Sequence, residues 1–373
     1  MKNRNSRMLG SRPDKNILYS PPELGKTIKI SFFLHEPKEI QSEILSGKKR
    51  GLLVVDGNLD ENKINLILFL VKKYVEEVEV YKLKYGEKNL NRVKQIWQSM
   101  IRFHPDVAIA LGGGTTCDLV GFASSCYHRN LDHIFFPTTL LSMVDACVGG
   151  KTGIDFGGIK NSVGQIHYAL ESYCIFPFLQ SLDYGELISG FSEVVKVGML
   201  FDGDLIQQIE KLPKTFSFSR DWFSAISRGA ELKAIMSENQ FSQRSKLLYG
   251  HNIGHGLETL SSTHRRHGDC VSIGINYELA IAVVVGKVEK NIWERQQEIL
   301  KSFGLPFKIP ERANFEKIKS KMRKYKLYRE GRYLFVFPKN PGEIIETNNN
   351  FYTELPDEKL DKAYLEAKKL ILQ

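Results

Sequence analysis

A regular alternation of strand-like and helix-like segments in the first half of the chain constrains the fold more than any other feature. Buried strands are indicated by apolar runs at residues 51–58, 78–83, 106–114 and 133–139. Residues 59–76 and 89–102, which lie between these runs, have the apolar spacing of helices. This order predicts an α/β domain over residues 21–182, with a mostly parallel sheet and helices on both faces.

Beyond about Leu182 the pattern changes to one helix after another. Helical spacing covers residues 186–200, 221–238, 252–261, 269–288 and 291–303, and a short strand is indicated at 332–338. We therefore expect a second, mainly α-helical domain over residues 183–373, since a chain of 373 residues is too long for one ordinary core. The basic and polar residues 1–20 lack the apolar core of a signal peptide and indicate a loose tail.

Composition narrows the class of ligand and compartment. The formal charge is +9, from 52 basic and 43 acidic residues, but the basic residues are spread along the chain. This favours a small anion over nucleic acid, and no apolar run is long enough to predict a membrane partner. The 5 cysteines show no CxxC spacing. They indicate reduced thiols in the cytoplasm and argue against a zinc–cysteine site.

A glycine turn follows the third predicted strand. Gly112-Gly113-Gly114 precedes a predicted helix, which is typical of a diphosphate site but also of a tight turn without a ligand. Asp56, at the end of the first predicted strand, has two corresponding interpretations, as a ribose contact or as a turn acid. The run Gly149-Gly150-Lys151-Thr152 is not a P-loop, because Asp145 stands where that motif requires glycine.

Two histidines indicate a metal site in the second half. His251 and His255 lie four residues apart on one face of a predicted helix, and Asn252 replaces the glutamate of the HExxH proteases. Glu193 and His267 could complete a catalytic divalent-metal site with open positions. The alternatives are a core or surface histidine pair and, for Glu193 with Lys196, a simple helix ion pair.

Taken together, several segments resemble dehydroquinate synthase and its sugar phosphate cyclase relatives over roughly residues 50–340. The resemblance is carried by GGGTTCDLVGFASSCYHR (112–129), PTTLLSMVDACVGGKTG (137–153), KNSVG (160–164), GFSEVVKVG (190–198), ELKA (231–234), GHNIGHGLE (250–258) and HGD (267–269). It implies NAD, one divalent metal (Zn²⁺ or Co²⁺) and ring closure of an anionic sugar phosphate with loss of phosphate.

The resemblance also implies a role for particular residues. Cofactor contacts are expected at Asp56, Asn58, Glu87, Gly113, Gly114, Thr115, Asp118, Thr138 and Thr139. Metal ligands are expected at Glu193, His251 and His267. Catalytic roles are expected for Lys151, Glu193, Lys196, Lys233, Arg244 and His255. Further substrate contacts are expected at Arg129, Asp145, Lys160, Asn161 and Lys326. In this family the arginine matching Arg129 reaches the site of the neighbouring subunit, which implies a homodimer.

Two departures leave the substrate open. Leu248 stands where dehydroquinate synthases usually carry asparagine, and Lys151-Thr152-Gly153 resembles the valiolone-forming cyclases of sedoheptulose 7-phosphate. Those enzymes usually have proline in place of His255, which this chain retains, together with Lys233 and Arg244 near an expected substrate carboxylate. Four hypotheses follow: dehydroquinate synthase itself, a related sugar phosphate cyclase, a metal-dependent polyol dehydrogenase, and a non-enzymatic binding or regulatory module.

Overall fold

The structure is a computed structural model that describes residues 12–84, 86–240, 242–260, 265–346 and 350–373. The chain forms two compact units, which divide between Leu182 and Asp183. Among the described residues, no helix has both the length and the hydropathy that crossing a membrane requires.

The first unit is built on a seven-stranded sheet. Its strands and helices are, in chain order, β1 (Lys15–Tyr19), β2 (Ile28–Phe33), β3 (Arg50–Asp56), α1 (Glu61–Val71), β4 (Glu77–Leu83), α2 (Leu90–Phe103), β5 (Val107–Gly112), α3 (Gly114–Cys126), β6 (His133–Pro137), β7 (Lys151–Phe156), β8 (Ile159–Ile166) and β9 (Glu171–Ile175). The sheet order is β1-β2-β9-β6-β5-β3-β4, while β7 and β8 form a separate hairpin. Only the β1–β2 pair of the large sheet is antiparallel. The predicted mostly parallel sheet is confirmed.

The central strands are buried on both faces, which explains their continuous apolar sequences. Leu52–Val55 of β3 and Val107–Leu111 of β5 are fully shielded from solvent. Such runs are typical of parallel strands covered by helices. Because the carboxyl ends of β3, β5 and β6 lie at one edge of the sheet, Asp56, Gly112 and Pro137 are brought to that edge.

The prediction of a loose tail over residues 1–20 is wrong for residues 15–19, which form β1. This strand pairs antiparallel with β2 and buries Ile17 and Tyr19, while Asn16 and Leu18 are exposed. An edge strand needs an apolar residue only at every second position, so its sequence remains polar overall. Residues 1–11 lie outside the described part of the chain.

The second unit is mainly helical, as predicted. Its elements are α4 (Tyr184–Phe201), α5 (Gly203–Lys211), α6 (Arg220–Ser237), α7 (His251–Glu258), α8 (His267–Val284), α9 (Lys290–Ser302), α10 (Phe315–Met322), β10 (Tyr328–Arg329), β11 (Arg332–Phe335), β12 (Pro338–Asn340), β13 (Glu343–Ile344), β14 (Thr353–Pro356) and α11 (Asp357–Leu372). Helix α8 is buried along nearly its whole length and packs against α4, α7, α9 and α11. The strand predicted at 332–338 is divided between β11 and β12.

A buried histidine in the first unit predicts a loss of stability in acid. His133 on β6 is buried, and its ring centroid lies 4.5 Å from that of His167. Burial and the neighbouring His167 hold the pKa of His133 well below its usual range. Below about pH 6.5, His133 therefore binds a proton in the unfolded chain but not in the folded chain. The free energy of unfolding consequently falls as the pH falls.

His133→Phe removes this proton uptake and keeps a ring among Phe135 and His167. We expect the variant to lose about 2 kcal/mol less stability than the wild type between pH 6.5 and 5, measured by urea unfolding. His104→Asn, at an exposed histidine with φ 53°, is the matched control and should keep the acid loss of the wild type. Equal acid loss in His133→Phe and the wild type would contradict this explanation.

Candidate functional site

The glycine turn lies at the carboxyl edge of the sheet in the first unit, where β5 ends at Gly112 and α3 begins at Gly114. Gly113 is the N-cap of α3, and within the described ranges no side chain caps this helix. Amides at the start of α3 are therefore available to an anion, and Thr115 is exposed beside them. A Cβ atom at position 113 would lie only 3.1 Å from Cγ2 of Thr139, so glycine suits this close approach.

Two predicted threonines lie next to the turn. The amide of Thr138 donates to the carbonyl oxygen of Gly112 at 2.9 Å. The amide of Thr139 donates to Oγ of Ser142 at 3.1 Å, which fixes the chain after β6. The structure thus brings together four of the predicted cofactor contacts: Gly113, Gly114, Thr138 and Thr139.

Asp118 on α3 forms an ion pair with Lys88, a residue that sequence reasoning did not select. Their side chains are only 18% and 17% exposed. Burial raises the pKa of Asp118, the charge of Lys88 opposes this rise, and the carboxylates of Asp145 and Asp155 add to it. Lys88 therefore balances a cluster of carboxylates, while the predicted contact Glu87 is exposed. The available sequence signal for Lys88 is that it directly follows Glu87, where a cofactor contact was expected.

Asp56 takes part in the turn that follows β3. Its Oδ1 accepts a hydrogen bond from the amide of Asn58 at 3.1 Å, and Asn58 is exposed. The interpretation of Asp56 as a turn acid is thus correct. Contacts of Asp56 and Asn58 with a nucleotide stay predictions.

The predicted substrate contacts of the first unit are spread over three segments. Asp145 lies in a turn of π-helix (Ser142–Ala146), a feature that is frequent at functional sites. The exposed residues Lys151, Lys160 and Asn161 lie on the β7–β8 hairpin, where the amide of Asn161 donates to Oδ1 of Asp155 at 2.8 Å. Arg129 is exposed and has a φ of 70° at the end of a short helical turn.

In the second unit, three helices bring the predicted metal ligands together. His251 begins α7, His255 follows one turn later, and His267 begins α8. Each imidazole offers a nitrogen within 4.8 Å of the other two. Glu193 on α4 places Oε1 at 3.6 Å from Nε2 of His267. This buried oxygen has no hydrogen-bond partner among the residues that the structure describes. The geometry gathers Glu193, His251 and His267 as predicted, and it includes His255 as well.

Hydrogen bonds orient two of these imidazoles. Nδ1 of His251 lies 3.0 Å from the carbonyl oxygen of Tyr249, and Nδ1 of His267 lies 2.9 Å from Oε2 of Glu258. Because each Nδ1 is held by an acceptor, Nε2 remains on the inner side of the ring for a metal. Outer-shell acceptors of this kind are the usual support of metal-binding histidines. Glu258 ends the segment GHNIGHGLE (250–258), but the resemblance implies no role for it.

Neighbouring charges determine the ionisation of the residues in this cluster. Burial disfavours ionisation of Glu193, but Lys196 and His267 outweigh burial and hold its pKa well below the usual range. Nζ of Lys196 lies 2.5 Å from Oε2 of Glu193, and both side chains are 3% exposed. Burial also opposes a charge on His267, yet Glu258 and Glu193 raise its pKa to about 10. Burial and the charge of His267 lower the pKa of His255 to about 3.

Three further predicted residues lie on other segments of the second unit. Lys233 is on α6, and the buried Arg244 donates from Nε to the carbonyl oxygen of Asn239 at 3.0 Å. Lys326 follows α10, and burial lowers the pKa of its ammonium group.

Family models identify the chain. The model described as 3-dehydroquinate synthase N-terminal matches residues 80–189, and 3-dehydroquinate synthase C-terminal matches residues 190–327. The chain belongs to the 3-dehydroquinate synthase family. A 3-dehydroquinate synthase of Ruminiclostridium cellulolyticum is 30% identical over 321 residues, which covers 83% of this chain and 89% of that protein. The predicted family and the predicted class, a lyase-type cyclase, are confirmed.

Solved structures support the same fold. A 2-deoxy-scyllo-inosose synthase, complexed with carbaglucose-6-phosphate, NAD⁺ and Co²⁺, has a TM-score of 0.80 at 16% identity and covers 94% of this chain and 98% of its own. The 2-epi-5-epi-valiolone synthase of Streptomyces hygroscopicus, with NAD⁺ and Zn²⁺ bound, has a TM-score of 0.77 at 20% identity and covers 89% and 97%. The 3-dehydroquinate synthase fold is thus shared with cyclases of other names.

Leu248 departs from the asparagine usual in dehydroquinate synthases, and the structure explains its packing. It forms an apolar cluster with Leu327 and Leu334, against which Tyr352 packs. An asparagine among these neighbours would need a polar partner that the leucines do not offer. In this chain, Leu248 is therefore part of a local apolar core.

Tyr325 is a residue of the histidine cluster that sequence reasoning missed. Its ring centroid lies 4.6 Å from that of His255. Burial and the charge of Glu258 raise the pKa of Tyr325, so its hydroxyl stays protonated at neutral pH. No motif could have revealed this contact, since 70 residues separate the two rings in the sequence.

Proposed function

We propose that the chain converts 3-deoxy-arabino-heptulosonate 7-phosphate, a seven-carbon keto acid phosphate, into a carbocycle with elimination of phosphate. The family relationship supports the reaction type. The observation that carries the proposal is the buried Oε1 of Glu193, which has no hydrogen-bond partner in the described ranges and lies beside converging imidazoles. A buried carboxylate oxygen that faces only the imidazole of His267 at 3.6 Å, without a hydrogen bond, is costly unless a cation lies next to it.

The donor set fits a divalent metal. Ligands of a tetrahedral ion at 2.0–2.2 Å lie about 3.4 Å apart. Oε1 of Glu193 and Nε2 of His267 are 3.6 Å apart. We assign Glu193, His251 and His267 as ligands of Zn²⁺ or Co²⁺, and His255 as a phosphate contact. One carboxylate and two imidazoles leave positions open for substrate oxygens, which suits catalysis.

NAD would be held at the glycine turn of the first unit. The start of α3 offers amides to the diphosphate, and Thr138 and Thr139 border this turn. When bound, NAD would accept and later return a hydride, while the metal would polarise the oxygen of the hydroxyl that is oxidised. The 2-deoxy-scyllo-inosose and 2-epi-5-epi-valiolone synthases are both described with NAD⁺ and a divalent metal, which supports this assignment.

The cationic side chains account for the elimination. Lys233 and Arg244 are assigned to the substrate carboxylate, because a guanidinium and an ammonium match its charge. The phosphate is assigned to cationic and polar residues: Lys151, Lys160, Asn161, His255, Lys326 and the partner copy's counterpart of Arg129. As phosphate leaves, these groups stabilise the charge that develops on its oxygens. Lys196 holds Glu193 ionised. We assign Asp145 to a hydroxyl group of the substrate.

The second candidate is a cyclase of sedoheptulose 7-phosphate. It is favoured by the apolar surroundings of Leu248 and by the Lys151-Thr152-Gly153 segment. This sugar phosphate lacks the carboxylate of the keto acid. Retention of Lys233 and Arg244 therefore favours the keto acid phosphate.

A comparison of the two substrates tests the proposal. The full chain with NAD⁺ and Co²⁺ is given each substrate, and released phosphate and the carbocyclic product are measured. We expect kcat/KM to favour the keto acid phosphate by about 10- to 100-fold, the worth of one charged contact. Arg244→Met should reduce this preference. A preference for sedoheptulose 7-phosphate would select the second candidate.

The proposed homodimer predicts complementation between two inactive variants. If Arg129 serves the partner copy's site, a mixed dimer of Arg129→Ala and His251→Ala contains one intact site and one doubly defective site. After subunit exchange at equal concentrations, about a quarter of all sites should be active. Phosphate release is measured before and after exchange. A mixture of Arg129→Ala with Lys196→Met should regain activity in the same way. A mixture of His251→Ala with Lys196→Met should stay inactive.

Absence of complementation in every pair would show that Arg129 serves its own subunit or none. Activity in the pair of His251→Ala with Lys196→Met would contradict the assignment of both residues to one subunit's site.

A further inference from the structure

A buried carboxylate holds the start of the helix that carries two of the clustered histidines. Glu278 lies on α8 and has no solvent exposure. Its Oε2 accepts a hydrogen bond from the amide of Gly250 at 2.8 Å, and its Oε1 accepts one from the amide of Ile253 at 3.1 Å. These two bonds satisfy donors at the N-terminus of α7 that would otherwise be buried without a partner.

Helix α7 cannot supply this cap itself. Its N-cap is Gly250, which has a φ of 78°, and no side chain at the cap position bonds to the helix. A Cβ atom there would lie 2.4 Å from Cγ2 of Ile275, so the usual serine, threonine or aspartate cap is excluded. The close packing of α7 on α8 thus requires glycine at this point, and Glu278 supplies the missing acceptor from the neighbouring helix.

The capped residues are the ones that position the first histidine. His251 lies between Gly250 and Ile253, and its Nδ1 is fixed on the carbonyl oxygen of Tyr249 at 3.0 Å. His267 begins α8, the same helix that carries Glu278 about 16 Å further along. One helix therefore provides one imidazole directly and sets the backbone from which the other projects.

We propose that Glu278 is a positioning residue of the metal centre, which holds α7 in the register that turns His251 toward His267 and Glu193. The proposal rests on the proposed metal function of these three residues. Glu278 touches the backbone of α7, and it acts on the ion only through His251. Its effect is therefore expected on metal affinity and coordination geometry.

The experiment measures Co²⁺ binding to the full chain by competition with a chelator, together with the visible absorption of bound Co²⁺. Glu278→Gln keeps the volume of the side chain, but its NH₂ group would face one of the two backbone N–H donors, those of Gly250 and Ile253, and could not accept from it. We expect it to weaken Co²⁺ binding by about 10-fold. Glu278→Ala removes both acceptors and should weaken binding by about 100-fold, the range known for outer-shell partners. Both variants should change the Co²⁺ spectrum.

Asp202 provides a matched control in the same unit. It caps α5 by accepting from the amides of Asp204 and Leu205, each at 3.0 Å, and α5 carries none of the proposed ligands. Asp202→Ala should lower the unfolding midpoint while leaving the Co²⁺ affinity and spectrum unchanged. This separates a general loss of a helix cap from a specific effect on the metal centre.

Wild-type Co²⁺ affinity and spectrum in Glu278→Gln would overturn the proposal, even if unfolding is easier. If Glu278→Ala does not fold, Glu278→Gln alone decides. Failure of the wild type to bind Co²⁺ would overturn this proposal and the metal assignment together. Co²⁺ binding is measured without substrate. A wild type that binds Co²⁺ but converts no sugar phosphate would therefore overturn only the proposed substrate. The graded loss of Co²⁺ affinity in the two variants would still support the proposed role of Glu278.

Discussion

Replacing His251 by alanine is expected to lower Co²⁺ affinity by more than about 100-fold, because even outer-shell partners of a metal site contribute 10- to 100-fold. Burial and the charge of Lys196 hold the pKa of His251 well below its usual range, so its imidazole is neutral and ready to bind a metal at pH 7. Chelator competition measures the affinity, and phosphate release measures the accompanying loss of turnover.

His255→Ala is the matched comparison, since its imidazole lies in the same cluster with its ring centroid 4.6 Å from that of His251. If His255 contacts the phosphate, its replacement should leave the affinity for Co²⁺ unchanged. Its loss should instead raise KM by about 10-fold, the worth of a hydrogen bond to a charged group. An equal loss of Co²⁺ affinity in His251→Ala and His255→Ala would contradict the assignment of His255 to the phosphate. It would instead make His255 a third imidazole ligand of the metal.

Lys196→Met should destabilise the metal-free protein by about 3 kcal/mol, because removing one partner of a buried ion pair leaves the other charge uncompensated. Lys196 and Glu193 are 2.5 Å apart and almost fully buried. Saturating Co²⁺ should recover much of this loss, because a divalent cation next to Glu193 replaces the missing charge and binds only the folded state. Urea unfolding with a chelator and with excess Co²⁺ gives the two values.

Lys290→Met is the matched control for this experiment. Lys290 pairs with Glu294 one helical turn away at 3.0 Å, but both side chains are more than half exposed. Such surface pairs contribute about 0.5 kcal/mol, and Co²⁺ should not change that value. A loss in Lys196→Met that is the same with and without Co²⁺ would show that Glu193 does not face the metal.

The sequence predicts those parts of the fold in which local pattern and tertiary environment agree. Strands β3 and β5 are apolar at every interior position because the sheet is covered on both faces, and that run is visible without a structure. Strand β1 could not be predicted from an apolar run, because every second residue of this edge strand faces solvent. Helices α5 and α10, with 9 and 8 residues, contain too few turns for a reliable periodicity.

For the candidate site, the sequence predicts residues that the structure brings together, but it does not predict the residues that support them. His251, His267 and Glu193 belong to segments that resemble the family when they are taken together, although each segment alone also has a structural interpretation. Glu258 and Glu278 act through contacts that depend on how α7 and α8 pack, and helix packing cannot be deduced from spacing within either helix. The apolar environment of Leu248 likewise depends on Leu327 and Leu334, which come from a distant segment.

The central claim, a phosphate-eliminating ring closure in which NAD is regenerated, is tested most directly by stoichiometry. The full chain, loaded with NAD⁺ and Co²⁺, is given 3-deoxy-arabino-heptulosonate 7-phosphate while inorganic phosphate and NADH are followed together. We predict one phosphate released for each substrate consumed, a carbocyclic product and no net NADH. NADH that accumulates with each turnover, as in a polyol dehydrogenase, or the absence of phosphate release would contradict the claim.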